Sequence, residues 1–320
     1  MVATTSPKPG LQPLTKSLLV DSTELLTDPV ALQKRAGEEG YLYFKRFLPA
    51  EYVMELRGDI LAVMDTYGWR LPGQGRFGGL VDHAKIDAIP DVEIESWGTG
   101  EACYRDVQKL QSFHRFPHHP KLLALYRSLF GGEVLVHPRN IARMILPHPS
   151  NFPTPQHQDF PHIQGTARTW TCWIPMGDCP RELGGLTLLR GSYKAGYMPV
   201  RAAKGAGGGG SAAQLCPWES QWVEGDYEAG DILTFHSMTV HKALKSKFKD
   251  RLRLSLDVRY QPLDEPVEKA SLGLHFKEMT WEEVYKDWKS DDLKYYWENL
   301  PLKMASPWDG AYLQAGRRIC

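Results

Sequence analysis

The chain has 320 residues, 42% of them hydrophobic and 24% charged, with Lys plus Arg equal to Asp plus Glu at 38 each. That length supports a core that needs no staples, and the balanced charge excludes the basic field that draws nucleic acid or an anionic membrane. Five cysteines (Cys103, Cys172, Cys179, Cys216, Cys320) make an odd count without a C-x-x-C pair; neither a disulfide framework nor a structural zinc site is expected, and a reducing, cytoplasmic setting fits.

In chain order, residues 1–20 hold at best the short apolar run Leu18-Leu19-Val20. That is too short for a signal-peptide core or a membrane span, so this segment reads as a flexible lead-in. "DPVALQKRAGEEG" opens on Asp-Pro and closes on Gly40, the start and stop signals of a helix. "YLYFKRFL" reads as a strand, and "PAEYVMELRGDILAVMDTYG" as an amphipathic helix with Pro49 at its opening. Residues 70–100 are rich in Gly and Pro and read as a long loop of the kind that is often functional. "HPKLLALYRSLFGG" is another helix, closed by Gly131 and Gly132.

From residue 133 the period changes from helical to two. "EVLVHPRNIARMIL", "TWTCWIPMGD", "GGLTLLRGS", "GDILTFHSMTVH" and "RLRLSLDVRYQP" read as short strands separated by turns. Strands from 133 to 262 without intervening helices predict a sandwich or barrel rather than a parallel α/β sheet. "RAAKGAGGGGSAAQ" is a low-complexity insertion within this run. "TWEEVYKDWKSDDLKYYWENLP" reads as one or two aromatic-rich helices, which pack on their own barrel or on a second copy of the chain; a homo-oligomer is compatible with either. The whole, 1–320, reads as a single unit: helical cover and loop (21–132), β core (133–262) and helical extension (263–320).

In "RLRLSLDVRY", Arg251, Arg253, Ser255, Asp257 and Arg259 share one face, while Leu252, Leu254, Leu256 and Val258 share the other. The polar face is either wet or lines an internal cavity, with the apolar face under the helices.

"TPQHQDFPH" holds His157 and Asp159, which would point the same way on a strand and reach one metal ion. The pair alone is not decisive, since roughly half to one H-x-D match is expected by chance in a chain with 11 histidines. About 80 residues on, "GDILTFHSMTVHKALK" adds His236 and His241. Two histidines and one carboxylate on one face of an octahedral ion leave three positions free, the arrangement of non-haem Fe(II) sites that bind a cosubstrate and dioxygen. An arginine on the adjacent strand would hold the far carboxylate of a dicarboxylic acid through a bidentate fork.

At these residues the chain resembles the phytanoyl-CoA dioxygenase family of Fe(II)- and 2-oxoglutarate-dependent oxygenases. "EEGYLYFKRFLPAEYVMELR" resembles the family's strand-helix entry, "HQD" its ligand pair and "ELGGLTLLRGSYK" its E-N-G-x-L…P-G-S-H segment. "GDILTFHSMTVH" is similar to the strand carrying the distal ligand, and "RLRLSLDVRYQ" to the final arginine-bearing strand. Leu183, Tyr193 and Lys242 depart from the family's usual Asn, His and small residue, and none of them is a ligand position. The resemblance implies a mainly β (α+β) fold, a double-stranded β-helix or jelly-roll core of cupin-like type flanked by N- and C-terminal helices.

It further implies that His157, Asp159 and His241 hold Fe(2+), His241 matching the distal ligand better than His236. It places Arg253 at the clamp for 2-oxoglutarate, with Arg251 as the next choice. Trp173 and Met144 match cosubstrate contacts, although each residue type is at home in a core, and Asn140 is a weaker candidate for touching substrate. Because the carboxylate of Asp159 is retained, hydroxylation of a small organic metabolite is favoured over halogenation. By the same resemblance, dioxygen and 2-oxoglutarate would be consumed and succinate and carbon dioxide released, with ascorbate as reductant in assays. Residues 70–100 and 204–211 are the candidate lids. Two other readings stay open: a facial-triad metalloenzyme that does not use 2-oxoglutarate, and a non-catalytic binding protein on the same scaffold.

Overall fold

The computed structural model describes residues 17–205, 211–215 and 221–306. Most of the N-terminal lead-in, the centre of the Gly-rich insertion, Cys216 and Cys320 lie outside the described residues.

The helices are α1 (Pro29–Glu39), α2 (Ala50–Thr66), α3 (His83–Ile86), α4 (Asp91–Trp97), α5 (Glu101–Gln108), α6 (Gln111–Arg115), α7 (Pro120–Phe130), α8 (Phe160–Ile163) and α9 (Trp281–Tyr285). The strands are β1 (Ser17–Leu18), β2 (Tyr41–Phe44), β3 (Val134–Val136), β4 (Ile141–Ile145), β5 (Trp170–Pro175) and β6 (Leu186–Leu189). They continue as β7 (Val200–Ala202), β8 (Ser211–Ala213), β9 (Trp222–Glu224), β10 (Ile232–His236), β11 (His241–Ala243) and β12 (Arg253–Pro262).

A larger sheet runs β2-β10-β5-β12, with β3 and β4 side by side along the far edge of β12; a smaller one runs β1-β9-β6-β11. The two stack as a jelly-roll sandwich, and β7 and β8 form a separate ribbon flanking the Gly-rich insertion. Alternation sorts each strand of the larger sheet. In β2, Leu42 and Phe44 join the core beneath the helices, while Tyr41 and Tyr43 join the core between the sheets. In β12, Leu254, Leu256 and Val258 belong to the same core as Leu32, Leu56 and Leu122 of α1, α2 and α7. Each such side chain contributes roughly 1.5–3 kcal/mol on burial. Arg253 and Ser255 on the opposite face are buried too, so that face lines the interior of the sandwich and is not wet.

Helix α1 begins and ends where its signals place it. The Asp28 carboxylate accepts from the backbone N–H groups of Val30 and Ala31 at 3.1 and 3.0 Å. Gly40 takes φ 73°, and a Cβ there would lie 2.5 Å from Tyr193 and 2.9 Å from Thr239. Its carbonyl accepts from His236 N at 3.0 Å and Thr239 Oγ1 at 2.8 Å, tying the helix end to the turn that leads to His241.

Three segments differ from expectation. Residues 70–100 contain α3 and α4, whose one or two turns are too short to show a period; the Asp82 side chain caps α3 through Ala84 N at 3.0 Å. The C-terminal aromatic segment forms only α9 and a single 3-10 turn, Tyr296–Asn299. Its rings reach several surfaces at once, as one straight helix could not. Trp288 Nε1 donates to the Lys109 carbonyl at 3.0 Å and Tyr296 Oη to that of Val136 at 2.6 Å, so this cover packs on its own chain. "GDILTFHSMTVH" is not one strand. Strand β10 stops at His236, a turn closes with Thr239 N on the His236 carbonyl at 2.8 Å, and His241 opens β11 in the other sheet. The turn carries no Gly or Pro, so no local signal announces it.

Two buried histidines, one in the helical cover and one just after β3, give a pH prediction. His114 donates Nε2 to the Gln108 carbonyl at 2.8 Å, and His137 Nε2 meets Gln261 Oε1 at 2.9 Å. Burial holds each at about 4, against about 6.5 in an unfolded chain. Between those values the unfolded chain binds protons that the folded one refuses, so stability is full above about pH 6.5 and falls as the pH drops towards 4. The urea midpoint of metal-free protein is expected to fall between pH 7 and pH 5. A midpoint that stays level across this range would count against the neutral burial of both rings.

Candidate metal centre

His157 and His241 face each other across a single antiparallel bridge, each donating its backbone N–H to the other's carbonyl, at 2.9 and 3.0 Å. Residues paired in this way send their side chains to the same face, and the two rings stand 4.1 Å apart, centroid to centroid. Asp159 does not share an extended strand with His157. It sits at φ −74°, ψ −35° at the entry to α8, so a bend, and not strand alternation, brings its carboxylate to the rings. Gln158 fastens that bend from outside. Its amide donates to the carbonyls of Gly196 and Met238 at 2.8 and 2.7 Å and accepts from Met198 N at 2.8 Å.

All three side chains are buried, and one donor atom from each lies within 4.8 Å of the others. Asp159 Oδ1 is 3.6 Å from His157 Nε2 and 3.8 Å from His241 Nε2. The other ring nitrogens are occupied: Nδ1 of His157 is 2.8 Å from the Pro155 carbonyl, and Nδ1 of His241 is 3.0 Å from that of Thr239. A carbonyl accepts only, so Nδ1 carries the proton and the Nε2 lone pair is presented inward, the tautomer a metal ligand needs. Asp159 Oδ2 accepts from Thr171 Oγ1 at 2.5 Å and from Arg259 Nη2 at 3.2 Å. One carboxylate oxygen is thus engaged and the other faces the imidazoles. Burial opposes ionisation of Asp159, but the Arg259 guanidinium outweighs it and holds the carboxyl well below its usual range. Burial pushes His241 down to about 4. An ionised carboxylate beside neutral imidazoles is the donor set a divalent cation requires, so these residues fit an iron ion.

Thr171 and Arg259 reach Asp159 because they are cross-strand partners on the inward face of β5 and β12; Trp173 and Asp257 are the next pair along. Farther along β12, Arg253 lines the same cavity as the triad, as does Trp173. Arg253 Nη1 donates to Ser255 Oγ at 2.8 Å, and no carboxylate pairs with it among the described residues. Burial pulls its pKa down. A buried guanidinium without an acid fits an anionic ligand carried into the cavity.

The other candidates lie elsewhere. Met144 packs in the core under the helices. Across β4 and β12 it opposes Leu254, while Arg143 opposes Ser255, so the two-residue period turns Arg143 to the cavity and Met144 away. Asn140 lines a small aromatic cavity with Trp281 and Trp297. Arg251 precedes β12, is exposed, and pairs with Asp250 at 3.0 Å. His236 accepts from Met238 N at 3.1 Å and stacks beside Tyr193.

Arg259, Thr171 and Gln158 were not singled out by sequence reasoning. Alternation puts Arg259 on the same face as Arg253, but nothing local names its partner. Arg259→Met is expected to lower the stability of metal-free protein by about 3–5 kcal/mol, because a buried carboxylate loses its cation. It is also expected to weaken iron binding roughly 10- to 100-fold. Urea unfolding and anaerobic Fe(II) titration measure the two; unchanged values in both would remove Arg259 from the site.

A family model described as Phytanoyl-CoA dioxygenase (PhyH) matches residues 37–250. A protein of Streptomyces arenae described as 1-deoxypentalenic acid 11-beta-hydroxylase is 28% identical over 280 residues, 83% of this chain and 91% of its own length. One of the same description from Streptomyces exfoliatus is 28% identical over 288 residues, 85% and 93%. A solved structure described as a non-heme monooxygenase, ThoJ, is similar with a TM-score of 0.50 at 20% identity, covering 74% of this chain and 79% of that one. That last likeness is one of fold. Among the described residues no helix is long and apolar enough to cross a membrane.

Proposed function

Because the chain belongs to the phytanoyl-CoA dioxygenase (PhyH) family of Fe(II)- and 2-oxoglutarate-dependent oxygenases, we propose that it hydroxylates a small organic metabolite, with His157, Asp159 and His241 as its iron ligands. The observation that carries this reading is the convergence of three buried donor atoms, two imidazole and one carboxylate, within 4.8 Å. Hydroxylation is the activity for which both Streptomyces relatives are named. The whole chain acts as one oxygenase unit, with the helices as the rigid backing of the sheet that carries the site.

Bound iron supplies the activation of dioxygen, and 2-oxoglutarate supplies the electrons that balance it, leaving succinate and carbon dioxide. The chain's own residues do the positioning. The Pro155 and Thr239 carbonyls keep both histidines in the tautomer that presents Nε2. Thr171 and Arg259 keep one Asp159 oxygen engaged and the carboxyl ionised. Arg253 receives the far carboxylate of 2-oxoglutarate, and Trp173 walls the cavity beside it. Burial of all seven side chains excludes bulk water, so the charges act in a medium where they are stronger than in solution. The unpaired Arg253 favours this reading over a facial-triad enzyme without 2-oxoglutarate, which has no use for a buried cation there.

The test is succinate formation from 2-oxoglutarate by purified protein with Fe(II) and ascorbate under air. Slow turnover without added substrate is expected. Iron bound through the triad without any succinate would sink the oxygenase reading.

A further inference from the structure

Next to the triad cavity lies a cleft of about 470 Å3, within the range that holds a small organic molecule. It shares Thr154, Ala243 and Arg253 with the cavity around the triad, so the two adjoin. Its walls run from the end of β4 (145–154) and from the end of β11 (243–249), with His83 of α3 and Asp87 just after that helix at one end. Leu146, Phe152, Leu244 and Phe248 line it, and Phe152 leaves 39% of its surface in solvent.

The segment after β11 alternates these apolar residues with lysines: Lys245, Lys247 and Lys249 all line the cleft. Lys247 lies 3.8 Å from Glu182, whereas Lys245 and Lys249 have no carboxylate within 4 Å among the described residues. The lone acid in the lining, Asp87, is engaged by His83 at 3.3 Å. The cleft therefore joins an apolar wall to uncompensated positive charge.

We propose that this cleft is the substrate site and that the substrate is an apolar organic acid. Its hydrocarbon body lies on Leu146, Phe152, Leu244 and Phe248, and its carboxylate is held at the mouth by Lys245 and Lys249. Apolar contact supplies the driving force, and the lysines select the end of the molecule that stays in water. A neutral hydrocarbon would leave the lysines unused, and a small dicarboxylate would leave the apolar wall bare. The cleft is thus distinct in character from the seat of 2-oxoglutarate at Arg253. The inference rests on the oxygenase reading for what happens to the acid, but not for its binding.

Calorimetric titration of the full, metal-free chain with octanoate and with 1-octanol tests it. Octanoate is expected to bind at least about tenfold more tightly than 1-octanol. Lys245→Gln together with Lys249→Gln is expected to weaken octanoate about tenfold, the effect of two partly exposed ion pairs, and to leave 1-octanol unchanged. Phe152→Ala is expected to weaken both probes, and an unchanged urea midpoint shows that each variant is folded. Failure of octanoate to bind, equal binding of the two probes, or indifference of octanoate to the double substitution would overturn the proposal. Because the titration needs neither iron nor turnover, such a result leaves the oxygenase reading standing, and absence of succinate formation would leave this binding standing.

Discussion

His241→Ala is expected to abolish iron uptake and with it succinate formation, by well over a hundredfold. Residues that merely orient ligands cost about 10- to 100-fold in metal affinity when removed, and His241 supplies a donor atom itself. Its Nε2 is one of the three that converge, and the two left, on His157 and Asp159, cannot occupy one face of an octahedral ion alone. The ring also packs 4.1 Å from that of His157 and 4.4 Å from that of Phe235, so the alanine variant opens a cavity as well. His241→Gln separates the effects, because it fills much of the space and can still donate to the Thr239 carbonyl. Both variants are expected to lose iron in anaerobic titration, while the urea midpoint falls further for alanine. Iron uptake of wild-type strength in the glutamine variant would remove His241 from the ligand set.

Arg253→Leu is expected to raise the KM for 2-oxoglutarate by about 30- to several-thousand-fold. A carboxylate that loses a buried, charged hydrogen-bond partner forfeits about 2–5 kcal/mol, and each 1.4 kcal/mol is a factor of ten. The same substitution is expected to leave the unliganded protein as stable or more stable. Arg253 is buried with Ser255 as its hydrogen-bond partner, and burial disfavours its charge, so leucine removes a desolvated cation that no carboxylate pairs among the described residues. A higher KM without loss of stability distinguishes a ligand clamp from a structural residue. Arg253→Lys keeps the charge without the planar fork and should fall between wild type and leucine. Steady-state kinetics in 2-oxoglutarate and urea unfolding read both effects; a destabilised variant with unaltered KM would assign Arg253 to the fold instead.

Much of the architecture was legible in the chain because it rests on local geometry. Asp28 and Gly40 mark the ends of α1 through their own backbone chemistry, and the alternation in "RLRLSLDVRY" places Arg253, Ser255, Asp257 and Arg259 on one face whatever the rest of the protein does. The same alternation turns Met144 away from the cavity, but only once β4 is known to lie beside β12 in a register that sets Arg143 opposite Ser255. The short helices within 70–100 and the turn after His236 were not legible, since two turns of helix show no period and Ser237–Val240 lacks Gly or Pro.

The residue types able to hold a ferrous ion, their order, and which residues share a face of the last strand were determined by the sequence alone, because covalent geometry and side-chain period act between near neighbours. Only the tertiary structure decided that His157 and His241 form a backbone bridge, that Asp159 reaches them from the start of a helix, and that its second oxygen is held by Arg259, 100 residues away. Those pairings follow from how two sheets close on each other. The free energy of that closure is set by the burial of many side chains together, and no spacing along the chain records which polar groups it will bring face to face.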